Sequence, residues 1–327
     1  MAHAVALASR GRGRSTPNPN VGCILVRQDD GAAPPRIVGR GWTQPGGRPH
    51  AEAMALDQAG DAARGATAYV TLEPCAHESR RGPACADRLT AAGVSRVVIA
   101  LTDPDPRTKG AGIERLCMGG VETSNCVSAD AARAAMAGWL TRMALGRPHV
   151  TLKLATSLDG CIALADGSSR WITGERARAH THLLRARSDA ILVGRGTYEA
   201  DAPALDVRLA GLEPRSPRRL LLTSAAAPAG WPLPRDWDVL ASPAAIASLI
   251  DVNDLLVEGG AKTAAAFLAA GLVDTLILYR APILVGCGRA ALADIGLTDL
   301  ASAHNHWQLT DARQLGEDRV EVYARQR

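Results

Sequence analysis

The chain has 327 residues, which is enough for two domains of ordinary size. Its hydrophobic fraction of 47% is normal for a globular protein, and its net charge of +4 without a polybasic run argues against a nucleic-acid or membrane-surface partner. The seven cysteines are scattered, no secretory signal is visible and no apolar stretch reaches membrane-spanning length, so we expect a cytoplasmic protein without a disulfide framework.

Helix and strand patterns alternate through the first half of the chain. We expect helices at residues 1–10, 51–59, 87–92 and 129–145, and strands at 21–26, 36–42, 68–72 and 97–101. Asp29-Asp30-Gly31 predicts a turn between the first two strands. This alternation predicts α/β layers with helices on both faces of a sheet.

Gly146-Arg147-Pro148 closes the last of these helices and is the expected linker. It predicts domains at residues 1–146 and 147–327. In the second domain we expect strands at 150–155, 190–193, 219–223, 255–257, 275–279 and 320–323, and helices at 175–186, 244–250 and 263–270. The pattern again predicts an α/β domain.

The most specific motif is His50-Ala51-Glu52, followed by Pro74-Cys75 and then by Cys85. One imidazole and two thiolates suit a catalytic zinc ion that keeps a fourth position for water. The order of these residues fits the signature of zinc-dependent base deaminases, except that nine residues separate the two cysteines where the signature has two.

The chemistry of ring deamination explains these residue types. Zinc lowers the pKa of bound water to about 7, and Glu52, beside a ligand without being one, is placed to move protons. Residues two apart inside a helix do not share a face, so we expect His50 at the very start of its helix. We also expect Pro74 in the first turn of a helix, which would place the Cys75 thiolate near a helix N-terminus.

The second half carries two glycine-bearing turns, Val193-Gly194-Arg195-Gly196-Thr197 and Glu258-Gly259-Gly260-Ala261-Lys262-Thr263. Neither is a G-x-G-x-x-G fingerprint, but two such turns in one domain predict a dinucleotide site. Lysine is rare, because 34 of the 37 basic residues are arginines. Lys153, in an apolar strand, is therefore either a solvated charge on an edge strand or a functional ammonium group.

The chain resembles the bifunctional riboflavin-biosynthesis deaminase–reductases along nearly its whole length. The matching segments are Pro17-Asn18-Pro19-Asn20-Val21-Gly22, His50-Ala51-Glu52, Tyr69-Val70-Thr71-Leu72-Glu73-Pro74-Cys75, Asp103-Pro104-Asp105-Pro106, Ser157-Leu158-Asp159-Gly160, Trp171-Ile172-Thr173 and Val257-Glu258-Gly259-Gly260. The resemblance implies a cytidine-deaminase-like α/β/α domain followed by a dihydrofolate-reductase-like α/β domain.

The resemblance also implies two reactions. The first domain would use Zn²⁺ to deaminate 2,5-diamino-6-ribosylamino-4(3H)-pyrimidinone 5′-phosphate. The second would use NADPH to reduce the ribosyl side chain to ribityl. The family further implies a homo-oligomer that acts on a phosphorylated pyrimidine, with no nucleic-acid or membrane partner.

Residue roles follow from the same resemblance. His50, Cys75 and Cys85 would bind zinc, with Glu52 as proton carrier, and Lys153 and Glu258 would be the catalytic residues of the reductase. Substrate contacts are implied for Asn18, His77, Ser169, Arg185, Leu205, Arg208 and Glu258, with both arginines suited to the phosphate. NADPH contacts are implied for Ala155, Trp171, Thr197, Asp201, Ser224, Gly260, Ala261, Lys262, Thr263, Ala264, Ala265 and Ala266.

Two departures and two alternatives accompany this interpretation. The loop between Cys75 and Cys85 is one residue longer than is usual in the family, and Thr43 stands where many relatives have histidine.

One alternative is a deaminase of nucleic-acid bases, which the scarcity of aromatic residues disfavours. The other is a structural zinc module, in which Cys23, Cys117 or His77 would close the site as a fourth ligand.

Overall fold

The computed structural model describes residues 1–28, 34–77, 82–224 and 236–327. The chain forms two compact units, Met1–Gly146 and Arg147–Arg327. The expected turn at Asp29-Asp30-Gly31 lies outside the described residues, as do residues 78–81 of the loop between the two cysteines. Within the described ranges, no helix combines the length and apolar character needed to cross a membrane.

The first unit alternates helices and strands as expected. Its elements are α1 (Ala2–Ala8), β1 (Gly22–Arg27), β2 (Arg36–Trp42), α2 (Ala51–Ala59), β3 (Thr67–Val70), α3 (Cys85–Ala91), β4 (Arg96–Ile99), α4 (Ala111–Met118), β5 (Glu122–Ser124), α5 (Ala129–Ala135) and α6 (Ala137–Leu145). Within the described residues the strands form a sheet in the order β2-β1-β3-β4-β5. The β1–β2 and β1–β3 pairs are antiparallel, whereas β3–β4 and β4–β5 are parallel.

Helix α2 packs unusually close to the sheet because β2 presents glycine to it. A Cβ atom on Gly41 would lie 1.9 Å from the carbonyl oxygen of Ala51, and one on Gly39 would lie 2.1 Å from that of Ala55. Only glycine permits this approach of two backbones. The start of α2, and therefore His50, is fixed against the sheet by this contact.

The expected long helix at residues 129–145 is interrupted. Met136 has φ −108° and ψ 19° and separates α5 from α6. The carbonyl oxygen of Ala135 accepts a hydrogen bond from the Asn20 side-chain amide at 2.8 Å. A tertiary contact therefore occupies an acceptor that a continuous helix would have used internally.

The second unit has the following elements. They are β6 (His149–Thr156), β7 (Cys161–Ala163), α7 (Glu175–Arg185), β8 (Ala190–Gly194), α8 (Arg195–Asp201), β9 (Arg218–Leu222), β10 (Trp237–Leu240), β11 (Asp254–Val257), α9 (Ala261–Ala269), β12 (Thr275–Arg280), β13 (Arg289–Ala290), β14 (Trp307–Leu315) and β15 (Asp318–Arg325). Within the described residues the main sheet has the order β10-β9-β8-β11-β6-β12-β15-β14, and β7 pairs with β13.

The second unit excludes one alternative and corrects one expectation. Strand β6 lies between β11 and β12 inside the sheet, which excludes an edge-strand charge for Lys153 and leaves the alternative of a functional ammonium group. The helix expected at residues 244–250 is a 3₁₀ helix, Pro243–Ser248. That segment is short and opens with proline, which suits a tight turn as well as an α-helix start.

A buried ion pair fixes the beginnings of β6 and β12. Arg147 donates two hydrogen bonds to Asp274, at 2.7 and 3.0 Å, and both side chains are 9% exposed. Asp274 also accepts the backbone N–H of Val150 at 2.8 Å. Burial alone would raise the pKa of Asp274, but Arg147, His149 and the Val150 N–H together outweigh it. The pKa is therefore lowered and the carboxylate stays ionised.

We expect Gly41→Ala to destabilise the first unit. The added methyl group must displace the backbone of α2, and overpacking of this kind costs about 1–3 kcal/mol. Because α2 begins beside His50, zinc affinity should fall as well. The measurement is urea unfolding together with zinc titration. Gly196→Ala is the control for stability, since a Cβ atom there meets no atom within 4 Å; equal stability of the two variants would contradict the close-contact argument.

Candidate functional site

Three potential metal ligands converge in the first unit. The donor atoms of His50, Cys75 and Cys85 all lie within 4.8 Å of one another. His50 Nδ1 is 3.3 Å from Cys85 Sγ and 3.6 Å from Cys75 Sγ. Tetrahedral zinc with bonds of about 2.3 Å to sulfur and about 2.0–2.1 Å to nitrogen places the N and S atoms roughly 3.6 Å apart. The donor set therefore fits zinc in both chemistry and spacing.

Local structure explains the position of each ligand. His50 is the N-cap of α2, with extended φ/ψ of −72° and 162°, as the sequence predicted. Cys85 is the first residue of α3. The expectation that Pro74 opens a helix was wrong, because residues 73–77 form an irregular segment. Cys75 nevertheless lies at a helix N-terminus, since its sulfur accepts the first N–H of α3, from Cys85, at 3.3 Å.

The two thiols differ in their readiness to bind a cation. The hydrogen bond from the Cys85 side chain is the main cause that lowers the pKa of Cys75, to about 4. The same interaction, together with burial, raises the pKa of Cys85. One thiolate is therefore present at neutral pH, and the second forms when a cation displaces the shared proton.

Glu52 lies beside this cluster without joining it. Its side chain is in the first turn of α2, and the residue is 3% exposed. Burial raises the pKa of Glu52 despite the opposing charge of His50. A raised pKa means that the Glu52 carboxyl group holds a proton more readily than an exposed glutamate does, which suits a residue that must both accept and return a proton.

Other polar residues surround the cluster. The Asn18 amide nitrogen is 3.4 Å from His50 Nε2 and donates to the carbonyl oxygen of Gly47 at 3.0 Å. His77 Nδ1 is 3.3 Å from the Thr108 hydroxyl. Thr43 is 2% exposed, and its hydroxyl oxygen accepts the Val21 N–H at 2.9 Å. Thr43 therefore supports the backbone beside the site and contributes no charge.

A cavity of about 360 Å³ opens over the cluster. Besides the predicted Asn18, His50, Glu52, Cys75 and His77, its wall includes residues for which no binding or catalytic role was predicted. These are Pro17, Pro19, Val21, Thr43, Arg48, Leu72, Glu73, Asp103, Asp105, Arg107, Trp139 and Met143. Burial raises the pKa of Asp103 to about 6. Trp139 and Met143 come from α6, whose apolar pattern is equally typical of an ordinary core helix.

A fourth protein ligand is missing from the part of the chain that the structure describes. The candidate metal cluster there consists of His50, Cys75 and Cys85 alone. Cys23 is fully buried in β1, Cys117 is exposed on α4, and neither belongs to the cluster. Three protein ligands are typical of catalytic zinc, whereas structural zinc takes four.

In the second unit, Lys153 and Glu258 come from neighbouring parallel strands. Leu152 on β6 pairs with Val257 on β11. Lys153 and Glu258, which follow these two residues, therefore lie side by side on the neighbouring strands. The ammonium nitrogen of Lys153 lies 5.7 Å from the centre of the Tyr279 ring. Burial lowers the pKa of Lys153, although Glu258 opposes the shift. Lys153 therefore releases its proton more readily than an exposed lysine does.

Arg185 is already engaged. It donates to the two carboxylate oxygens of Glu258 at 2.8 and 3.0 Å, and to the carbonyl oxygen of Asp206 at 3.0 Å. Burial alone would raise the pKa of Glu258, but Arg185 and Lys153 lower it, so the carboxylate stays ionised. The two-pronged grip that we expected Arg185 to offer a phosphate is thus occupied by Glu258. Arg208 Nε lies 3.5 Å from an oxygen of Asp206, but the side chain is 64% exposed, so most of its surface remains open to an anion.

The two glycine turns of the second unit adjoin each other. The Gly260 N–H donates to the Thr197 hydroxyl at 3.2 Å, which joins the starts of α9 and α8. A Cβ atom on Gly194 would lie 2.0 Å from the Thr263 hydroxyl oxygen, and one on Gly259 would lie 2.5 Å from Thr263 Cβ. Packing of Thr263 therefore requires both glycines. The N–H groups at the start of α9 still face the same turn, which suits an anionic cofactor.

The remaining predicted residues are placed as follows. Leu205 is 3% exposed and belongs to the core, so only its backbone is available to a ligand. Trp171 is 65% exposed, with the guanidinium groups of Arg170 and Arg178 at 5.9 and 4.8 Å from its ring. Arg170 also approaches Asp201, at 3.4 Å. Half-buried or exposed positions are occupied by Ala155, Ser169, Ser224, Lys262 and Ala266.

Comparison with known proteins agrees with this geometry. Residues 1–101 match the family model of the cytidine and deoxycytidylate deaminase zinc-binding region. Residues 148–232 and 240–320 match the model of the RibD C-terminal domain. The riboflavin biosynthesis protein RibD of Escherichia coli is 39% identical over 97% of this chain and 96% of that protein. The chain belongs to the RibD family. A relative from Mycobacterium tuberculosis is also 39% identical, over 94% of this chain and 91% of its own.

Solved RibD structures cover the whole chain. Acinetobacter baumannii RibD is 36% identical, with a TM-score of 0.84 over 100% of this chain and 98% of that chain. A Thermotoga maritima structure described as a diaminohydroxyphosphoribosylaminopyrimidine deaminase/5-amino-6-(5-phosphoribosylamino)uracil reductase is 30% identical, with a TM-score of 0.88 over 100% of this chain and 97% of that chain. The chain is therefore a bifunctional deaminase and reductase of riboflavin biosynthesis that uses zinc and NADPH.

We expect Cys85→Ala to abolish tight zinc binding, because two ligands are too few to hold the ion at this site. Cys23→Ala is the matched control, since burial raises the pKa of that thiol and it lies outside the cluster. Metal analysis after dialysis should give about one zinc per chain for the unmodified protein and for Cys23→Ala. Full zinc content in Cys85→Ala would remove Cys85 from the ligand set.

Proposed function

We propose that each unit carries one of the two reactions. The unit at residues 1–146 deaminates 2,5-diamino-6-ribosylamino-4(3H)-pyrimidinone 5′-phosphate, and the unit at 147–327 reduces the ribosyl side chain of the product with NADPH. The observation that carries the proposal is the three-ligand cluster beside a buried, non-ligating Glu52 at the wall of a cavity. We further propose a cytoplasmic homo-oligomer, as the family resemblance implies.

In the deaminase, His50, Cys75 and Cys85 would hold zinc, which when bound would lower the pKa of a water molecule to about 7 and supply the nucleophile. Glu52 carries protons from the water nucleophile to the ring nitrogen and to the amino group that leaves as ammonia. Asn18 binds the pyrimidine ring, because its amide lies against the ligand His50. His77 stands at the wall of the same cavity and binds the substrate phosphate.

In the reductase, Lys153 supplies the proton that must accompany the hydride. NADPH supplies that hydride when bound. Glu258, ionised and held by Arg185, accepts hydrogen bonds from the substrate and keeps Lys153 in place through its charge. Arg208 binds the substrate phosphate, while Ser169 and the backbone of Leu205 complete the substrate site.

We propose that NADPH lies across the two glycine turns. The N–H groups at the start of α9 face its phosphates, in the segment Gly260–Ala266, and Thr197 contributes from α8. Four further residues complete the proposed cofactor site, namely Ala155, Trp171, Asp201 and Ser224.

The direct test supplies the diaminopyrimidine phosphate with and without NADPH and follows ammonia and NADPH absorbance together. Ammonia should appear in both reactions, and NADPH should be consumed only after deamination. The absence of ammonia would refute the assignment of the first unit. Ammonia without NADPH oxidation would refute the assignment of the second.

We expect Glu52→Gln to keep zinc and lose deamination. The amide is the same size but cannot carry protons, and general acid–base catalysis is worth about 10²–10⁴-fold. The measurement is the rate of ammonia release from protein with verified zinc content. An unchanged rate would exclude Glu52 as the proton carrier.

We expect Lys153→Ala to spare deamination and to slow NADPH oxidation by about 10²–10⁴-fold. Because the pKa of Lys153 is lowered, its protonated fraction falls as pH rises through a value below the usual lysine pKa of about 10.4. The rate of NADPH oxidation should therefore begin to fall at a pH below the usual lysine pKa and should continue to fall as the pH rises. Arginine keeps its proton, so Lys153→Arg should show no such decline; the same decline in Lys153→Arg would assign it to another group.

A further inference from the structure

The deaminase cavity has one positive side chain that the arrangement described so far does not use. Arg48 lines the cavity two residues before the ligand His50. It is half-buried, and across the described ranges no hydrogen bond or ion pair engages its guanidinium group. A cation that lines a cavity without a partner is available to an anionic ligand.

The other arginine and three of the four acidic side chains at the cavity wall already have polar partners. Arg107 donates from its Nε and Nη2 atoms to both oxygens of Asp105, which lowers the pKa of that carboxyl. Glu73 accepts four backbone N–H bonds, at 2.9–3.2 Å. Asp103 accepts the Asp105 N–H at 2.8 Å. Among the described wall residues, Arg48 is therefore the arginine that has no ion-pair partner, although the wall also carries four acidic side chains.

Two close approaches describe the surroundings of Arg48. On one side the adjacent Gly47 approaches Asn18 so closely that a Cβ atom on Gly47 would lie 2.5 Å from Asn18 Cγ. Asn18 also contacts the imidazole of His50. On the other side, Arg48 Nη1 lies 3.5 Å from the point where a Cβ atom of Gly82 would be, next to the loop between the two cysteines. These contacts place the backbone of Gly47 against Asn18 and the end of the Arg48 side chain near Gly82.

We propose that Arg48 binds the phosphate of the deaminase substrate and so determines that the phosphorylated compound is preferred over its dephosphorylated form. This inference rests on the proposed deaminase function. Guanidinium pairs with phosphate through parallel N–H···O bonds. Thr43, neutral and occupied with Val21, offers no such charge. Arg48 acts with His77, whose Nδ1 is held near Thr108 and whose Nε2 remains for the ligand.

The test compares binding in a background that does not turn over. In Glu52→Gln protein loaded with zinc, calorimetry measures the Kd of the diaminopyrimidine ribosyl phosphate and of its dephosphorylated form. Adding Arg48→Gln should raise the Kd of the phosphate roughly 10- to 100-fold, the effect of losing hydrogen bonds to a charged group. It should leave the Kd of the dephosphorylated compound unchanged. Arg48→Lys should give an intermediate value, because it keeps the charge and loses the planar grip.

Arg133→Gln is the matched control, because Arg133 is exposed on α5 and is not part of the cavity wall. It should change neither Kd. Equal weakening of both ligands by Arg48→Gln would show a structural role, and an unchanged Kd for the phosphate would also overturn the inference. Ammonia release by the unmodified protein is measured in parallel: its absence refutes the deaminase itself, whereas activity with an unchanged Kd refutes the role of Arg48 alone.

Discussion

Three donor atoms from three separate segments must meet within 4.8 Å, and the first unit is arranged around that requirement. His50 arrives at the start of α2, which Gly39 and Gly41 allow to lie directly on β2. Cys85 begins α3, and the first N–H of that helix points at Cys75. Each contact fixes a backbone position that carries a ligand. Packing and backbone hydrogen bonds thus bring the three segments to one place.

The proposed reductase site of the second unit depends on neighbouring charged side chains and not on metal ligands. Lys153, Glu258 and Arg185 form a half-buried group of two cations and one anion, in which Arg185 helps to keep Glu258 ionised and burial lowers the pKa of Lys153. Such an arrangement keeps one proton loosely held and one negative charge fixed. It supports the roles that we propose for the two residues, with Lys153 as the proton source and Glu258 as the hydrogen-bond acceptor that orients the substrate.

The sequence predicted best where local pattern and tertiary environment agree. Residues 36–42 and 51–59 were expected as a strand and a helix and occur with those bounds. The helix expected at Pro74 failed because tertiary contacts hold that segment: Glu73 bonds to the backbone of the 101–113 region. Strand β14 was missed because most of its residues are polar and exposed, and α8 was missed because two glycines at its start read as a plain turn.

The residues of the candidate site also differ in how well the sequence could predict them. Ligands that lie in a short motif could be found from residue types and order alone. Arg48, Trp139 and Asp103 could not, because nothing in their local sequence reports that they face one cavity. The engagement of Arg185 by Glu258, 73 residues away, is likewise invisible to any local pattern. Long-range contacts of this kind determine which charges remain available to a ligand.

The most direct test of the metal centre is zinc X-ray absorption spectroscopy of the zinc-loaded protein. We expect the zinc ion to have two sulfur neighbours at about 2.3 Å and two nitrogen or oxygen neighbours at about 2.0 Å, one from His50 and one from solvent. The solvent ligand should be replaced when a substrate analogue binds. Three or more sulfur neighbours, or a second imidazole, would mean that protein fills the fourth position and would contradict a catalytic role for the ion.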